Sequence, residues 1–200
     1  VGAENEADRS KLVILLEQLG AEVEQAERPS QTALCLLAPY GLDATAACAQ
    51  FGTEPARSIC IDLIIDLQRH RCLMQSPATA KEVREAAHAL LTRDGVGVTV
   101  INDSVGFIAQ RVLSMVVNLG SDIVQQRIAS VDDLDEGVRR GLGYPLGPLA
   151  WGDSLKPKRI LTILERITKL TGDPRYRPSG WLRRRADLGL SLRHAEPASV

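Results

Sequence analysis

The sequence predicts an α/β layer with a mostly parallel sheet, followed by an all-helical part. Short apolar runs at residues 33–37, 59–65 and 95–101 alternate with helix-patterned stretches, and strands alternating with helices build such a layer. After Ser104 the strand-like runs stop: residues 105–128 contain no Pro and only two Gly, Gly106 and Gly120. The charge divides at the same place. Residues 1–104 carry 9 Lys/Arg against 15 Asp/Glu, and residues 105–200 carry 15 against 10. Two domains, 1–104 and 105–200, are therefore expected.

Composition narrows the class. An apolar fraction of 44% and a charged fraction of 24% are ordinary for a globular protein. No apolar run approaches the ~20 residues of a membrane span. The opening V-G-A-E-N-E lacks the basic start and apolar core of a signal peptide; it also lacks Met, which suggests a fragment or a processed chain. Cys35, Cys48, Cys60 and Cys72 form no C-x-x-C pair, and there are three His. A zinc site, which needs ligands at short paired spacings, is not expected. Buried free thiols in a reducing cytoplasm are the simpler reading.

In the first part, residues 7–19 read as a helix with Leu12, Leu15, Leu16 and Leu19 on one face, ended by Gly20. Residues 21–24 read as a short strand, 43–51 as a helix stopped by Gly52, and 72–74 as a further strand. Ser76-Pro77-Ala78-Thr79 opens a helix to about Leu91. Such a layer invites a dinucleotide-binding reading, which needs glycines at a strand-to-helix turn where backbone amides meet the pyrophosphate. No G-x-G-x-x-G lies at such a turn. Gly95-Val96-Gly97 precedes a strand, and Gly141-Leu142-Gly143 precedes a Pro turn.

The stretch from Asn102 to Asp153 carries the most information. Asn102, Asp103 and Ser104 are cap-type residues ahead of a helix over 105–128, roughly 36 Å long at 1.5 Å per residue. Its apolar residues, among them Phe107, Ile108, Val112, Met115, Val116, Val117, Leu119 and Ile123, cover more than half its circumference, so it must be covered on most sides. Gln110, Ser114, Asn118 and Asp122, four apart, make one narrow polar stripe. Gly106-Phe107-Ile108, Gln110-Arg111, Ala129-Ser130, Asp133-Leu134-Asp135, then Gly141-Leu142-Gly143-Tyr144-Pro145-Leu146-Gly147-Pro148 and Asp153 follow without gaps.

This series resembles the C-terminal helical domain of NAD-dependent 3-hydroxyacyl-CoA dehydrogenases. The resemblance implies a reduced Rossmann-like domain followed by a helical domain, as in the C-terminal half of the family's long members. It further implies oxidation of a 3-hydroxyacyl-CoA to the 3-oxoacyl-CoA with NAD, and helical domains that pair. The family's H-F-F-N-P motif, whose His is the catalytic base, has no counterpart in the corresponding region from Asp62 to His70. His70 is read as a surface residue, and Gln110 stands where the family has its active-site Asn. No catalytic residue is therefore assigned to this chain. The resemblance places the NAD site in an N-terminal domain of the same protein, with no cofactor bound by this chain. Gln110, Ser114 and Asn118 are the candidates to face acyl-CoA. Gly106, Phe107, Arg111, Gly143, Pro145, Gly147, Pro148 and Asp153 are read as structural, with Asp153 contacting the proline turn, and Gly106 and Gly147 as positions needing positive φ or close packing.

Past Ile128, Ser130 caps a helix with Asp132 and Asp133 in its first turn, closed by Arg139-Arg140-Gly141. Asp133 and Asp135 fit a pair of catalytic acids less well than a helix start. Residues 158–170 read as a helix with Ile160, Leu161, Leu164, Ile167 and Thr168 inward. From Lys156 to Arg193 there are 11 Lys/Arg against 3 Asp/Glu. This cluster admits a nucleic-acid patch, a site for coenzyme A phosphates, or a solvated face with arginines pairing to the acidic first domain; two aromatics, Tyr176 and Trp181, are few for the first. The functional expectation is part of a dehydrogenase that is inactive alone, associates as a homodimer, and binds neither nucleic acid nor membrane. The alternative is a non-catalytic dimerisation module.

Overall fold

Five short strands form one sheet in the computed structural model, which describes residues 1–24, 29–194 and 196. The first compact unit, Val1–Ala109, runs β1 (Gly2–Ala3), α1 (Glu6–Gln18), β2 (Cys35–Ala38), α2 (Ala44–Phe51), β3 (Ser58–Ile61), β4 (Arg71–Met74), α3 (Lys81–Leu91) and β5 (Val98–Ile101). The strands lie in sequence order, parallel except for the β3–β4 pair. The two-residue alternation of a strand divides the core. Leu36, Ile59, Ile61 and Leu73 pack with Leu12, Leu16, Ala87 and Leu91. Cys35, Leu37, Cys60 and Met74 pack with Ala47, Cys48 and Phe107. Both faces are buried, which is why these strands read as continuous apolar runs.

The differences from expectation lie at element ends. Residues 21–24 form no strand. The run 59–65 leaves the sheet at Ile61, because the Asp62 carboxylate accepts the Ile64 N–H and turns the chain. Residues 95–97 stay outside β5, where Gly95 has φ +83° and Asp94 takes the Val96 N–H. Ser76 and Thr79 bond each other in their own turn, so α3 starts at Lys81.

The second unit, Gln110–Val200, holds most of α4 (Ile108–Gln125), then α5 (Val131–Leu142), α6 (Pro148–Leu155), α7 (Pro157–Thr171) and α8 (Gly180–Leu188). The division follows Ala109 rather than Ser104 because Phe107 is buried in the first unit's core. α7 is the centre of the second unit: Ile160, Leu161, Ile163, Leu164 and Ile167 are all buried. α4 is shorter than the 105–128 span. Gly106, at φ +71°, turns the chain before it, and Arg127, at φ 58°, ends it. The expected caps serve other elements. Asp103 accepts the Ala44 N–H and the Thr45 hydroxyl at the start of α2, Asn102 accepts from Gln75, and Ser104 donates to the Gly106 carbonyl. α5 opens on Ser130 as expected but closes on Gly143, at φ +67°, rather than on Gly141.

Candidate functional site

The polar stripe of α4 faces inward. Gln110 and Ser114 are fully buried and Asn118 nearly so, with Ser121 and Val124 beside them. Asn118 accepts the Ser179 N–H at 2.8 Å and donates to the Arg177 carbonyl at 3.0 Å. Its amide is thus spent on backbone and ties the entry of α8 to α4. None of the three side chains is displayed to solvent in this chain. Small residues on this face permit close approach: a Cβ on Gly120 would meet Pro148. The opposite face carries Ile108, Val112 and Leu119, exposed by 52%, 54% and 62%. At 100° per residue these fall on one stripe, together with half-buried Met115, Val116 and Ile123.

The G-Y-P-L-G-P run is built around Asp135. This buried carboxylate, on α5, accepts the Leu149 N–H at 2.8 Å and the Ala150 N–H at 3.0 Å, capping α6 from outside. Asp133 instead pairs with Ser130 at the start of its own helix. Gly147 precedes Pro148, the first residue of α6, with φ −71°; any Cβ there would run into Asp135. The reason for Gly147 is therefore close packing rather than backbone conformation. Gly143 and Pro145 are exposed, Tyr144 meets Trp151 edge-on, and Arg111 is half-buried. The Asp153 carboxylate bonds outside the turn. It accepts the Ser191 hydroxyl and the Leu192 N–H, 2.6 and 2.7 Å away, from the segment after α8.

Several cations of the basic segment pair inside their own unit. Lys158 pairs with Asp187, Arg175 with Asp173, Arg183 with Glu165, and Arg193 with Asp132. Arg185 lies over the Trp181 ring, 3.1 Å from its centroid.

In the first unit, the helix ends that a dinucleotide phosphate would use are already taken. At the β1–α1 turn, Asn5 accepts the Asp8 N–H and donates to its carboxylate, Glu4 accepts the Tyr40 N–H, and the Tyr40 hydroxyl bonds Asp8. At α2 the amides of Ala44 and Ala46 go to Asp103 and Asp43. The Asn5 carboxamide fills the first position, with the Glu4 and Asp8 carboxylates beside it, and the Asp43 and Asp103 carboxylates fill the second, so these residues do not fit the NAD pyrophosphate. Asp62 is buried at the end of β3, and His70 is exposed and bonds Thr99 across to β5. Burial raises the Cys48 and Cys60 thiols, and Cys72 to about 11. Among the described residues no group of three His, Cys, Asp or Glu is placed to hold a metal ion. No described helix is long and apolar enough to cross a membrane.

Comparison with known proteins places this arrangement. Residues 106–196 match the family profile described as 3-hydroxyacyl-CoA dehydrogenase, C-terminal domain. The chain is 42% identical over 96 residues to the 3-hydroxyadipyl-CoA dehydrogenase of Escherichia coli K12, across 48% of this chain and 20% of that protein. It is 32% identical over 112 residues to a probable 3-hydroxybutyryl-CoA dehydrogenase of Bacillus subtilis 168, across 56% of this chain and 39% of that one. The chain thus spans less than half the length of these relatives. Among solved structures, 3-hydroxybutyryl-CoA dehydrogenase from E. coli K12 matches 84% of this chain and 34% of its own at TM-score 0.71 and 29% identity. The (S)-3-hydroxybutyryl-CoA dehydrogenase of Ralstonia eutropha shares the fold over 93% of this chain and 63% of its own, at TM-score 0.70 and 23% identity. Residues 106–196 thus carry the C-terminal domain of the 3-hydroxyacyl-CoA dehydrogenase family, and the relatives they match are of one reaction class.

Proposed function

We propose that this chain is the C-terminal part of a long-form NAD-dependent 3-hydroxyacyl-CoA dehydrogenase: a reduced Rossmann-like domain followed by the helical domain. The observation that carries the reading is the unbroken series from Gly106 to Asp153, folded around the Asp135 cap. NAD bound in the upstream domain would take the hydride from C3 of a 3-hydroxyacyl-CoA. The residues of this chain perform no proton or hydride step. The family's His has no counterpart after β3, the helix ends after β1 and β2 are filled by Asn5 and by the Asp43 and Asp103 carboxylates, and Gln110 is buried at the family's Asn position.

What this chain supplies is a surface. The apolar stripe of Ile108, Val112 and Leu119 faces away from the rest of its own unit, and apolar burial is worth ~25 cal/mol per Å². Its occupant is a second helical domain, from a second copy in a homodimer or from the same polypeptide. Closed two-fold pairing is the commonest solution for identical chains. This same stripe favours the second reading, a dimerisation module without chemistry.

The two readings separate in one assay. This chain alone should not oxidise NADH with acetoacetyl-CoA, and steady consumption would overturn the assignment of the chemistry upstream. The full-length polypeptide should form NADH from a 3-hydroxyacyl-CoA, with 3-hydroxybutyryl and 3-hydroxyadipyl esters as the substrates to compare. No turnover with either would leave the module reading.

A further inference from the structure

We infer that residues 189–194 are a strap that docks on the helical unit as a separable element and closes an apolar slot between α4, α6 and α8. The chain leaves α8 at Gly189, φ +67°, with Leu190 donating back to the Arg185 carbonyl. Leu192 is then fully buried. Its slot exists because position 152 is glycine: a Cβ there would collide with both Leu192 and Val117 of α4. Every polar bond that anchors the strap beyond Leu190 comes from a side chain of the unit. Asp153 takes the Ser191 hydroxyl and the Leu192 N–H. The Trp181 indole N–H donates to the Leu192 carbonyl at 2.9 Å, and Arg185, 4% exposed, donates to the His194 carbonyl at 2.8 Å. Outside the slot, Arg193 bridges Asp132 and Asp135, and Asp135 is the carboxylate that caps α6.

This is the pattern of a peptide held in a groove: backbone bonds along an irregular segment, one apolar anchor, one charged clamp. Among the described residues the strap's own bonds are those of one turn, from the Arg193 and His194 amides to Ser191, and it buries one large side chain. Its opening therefore costs less than unfolding the α7 core, as in other sub-global openings. Opening would uncover Trp181 and Val117, and Val117 lies on α4, the helix that bears the exposed apolar stripe.

The test uses the full chain with Trp151→Phe, which leaves Trp181 as the one tryptophan. In that background Leu192→Ala should shift Trp181 emission to the red. It should also speed hydrogen exchange at the Leu192 amide by at least about thirtyfold, as expected for emptying a leucine slot. The amides of Ile163 and Leu164 should keep their protection. Loss of protection in the strap and α7 together would overturn the proposal, as would unchanged emission and exchange. If Leu192→Ala does not fold, Asp153→Asn keeps the apolar anchor and weakens the two bonds at its carboxylate. The same emission shift and local exchange are then expected, and their absence, or loss of protection in α7, overturns the proposal equally.

Discussion

Replacing Gly147 by Val tests the account of the G-Y-P-L-G-P turn most directly. The backbone there is ordinary, at φ −71°, so a β-branched residue carries no conformational penalty. The cost is steric and local. The new side chain would occupy the space of Asp135, which must move, and in moving would lose the Leu149 and Ala150 amides. Overpacking a filled site costs about 1–3 kcal/mol, and a lost buried hydrogen bond to a charged group about 1.5–3 kcal/mol. A total of at least about 4 kcal/mol would lower the melting temperature of a unit this size by roughly 10 °C or more. Gly141, in the same motif, is the internal control: it lies within α5, and a Cβ added to it would have nothing within 4 Å. Gly141→Ala should stabilise by about 0.5–1 kcal/mol through helix propensity alone. Calorimetry of the two variants reads opposite signs if the reasoning holds. Equal melting of both, or Gly147→Val within roughly 2 °C of the parent, would refute it.

Gly106→Val should destabilise because φ +71° suits glycine, whereas Gly106→Asn should cost less; equal melting of the two variants would contradict this. Arg71 is fully buried and its guanidinium bonds the Leu67 and Leu91 carbonyls and Asp94; Arg71→Met should lower the first unit's stability by at least about 2 kcal/mol in urea, because it strands those acceptors. The Arg71 hydrogen bond holds the Asp94 carboxyl below its ordinary 3.8. Since the folded value is the lower one, the associated stability is present above 3.8 and drains away as pH falls through the folded value; an acid titration of Asp94→Asn should lack that component. Burial raises the Cys48, Cys60 and Cys72 thiols, so a thiol reagent at neutral pH should label them slowly in the native chain and quickly in denaturant.

Elements with a strong local signature were legible in the sequence. α1 shows its leucine face and stop glycine, α2 its stop glycine, and the β2, β3 and β4 strands show compact apolar runs, because both faces of the sheet are buried. Ends were less legible, since long-range partners set them. Asp103 looks like a cap for the helix that follows it but serves α2, far earlier in the chain. Asp135 looks like part of its own helix start but serves α6. The Leu192 slot had no sequence signal apart from Gly152, which alone does not say what approaches it. The missing phosphate glycines were visible directly, whereas the side chains that fill those helix ends, Asn5 at α1 and Asp43 at α2, emerged only from the hydrogen bonds.

The helix α4 shows why pattern and burial parted company. Its apolar excess predicted a covered helix, and its narrow polar stripe was the natural candidate for an open site. In the structure Gln110, Ser114, Asn118 and Ser121 point inward, where small side chains let α6 come close, while Ile108, Val112 and Leu119 point outward. A helix whose own domain takes its polar face has its apolar face left for a partner. This arrangement identifies the residues that test association. Val117, an obvious apolar choice, is buried under the strap side of the unit and would report on folding. Leu119 is 62% exposed, so Leu119→Glu should leave the melting of the monomer unit nearly unchanged while abolishing pairing. Light scattering after gel filtration should give twice 21.7 kDa for the parent chain and 21.7 kDa for the variant. A parent chain that elutes as a monomer at micromolar concentration would remove the homodimer. A variant that remains dimeric and folded would move the interface off α4.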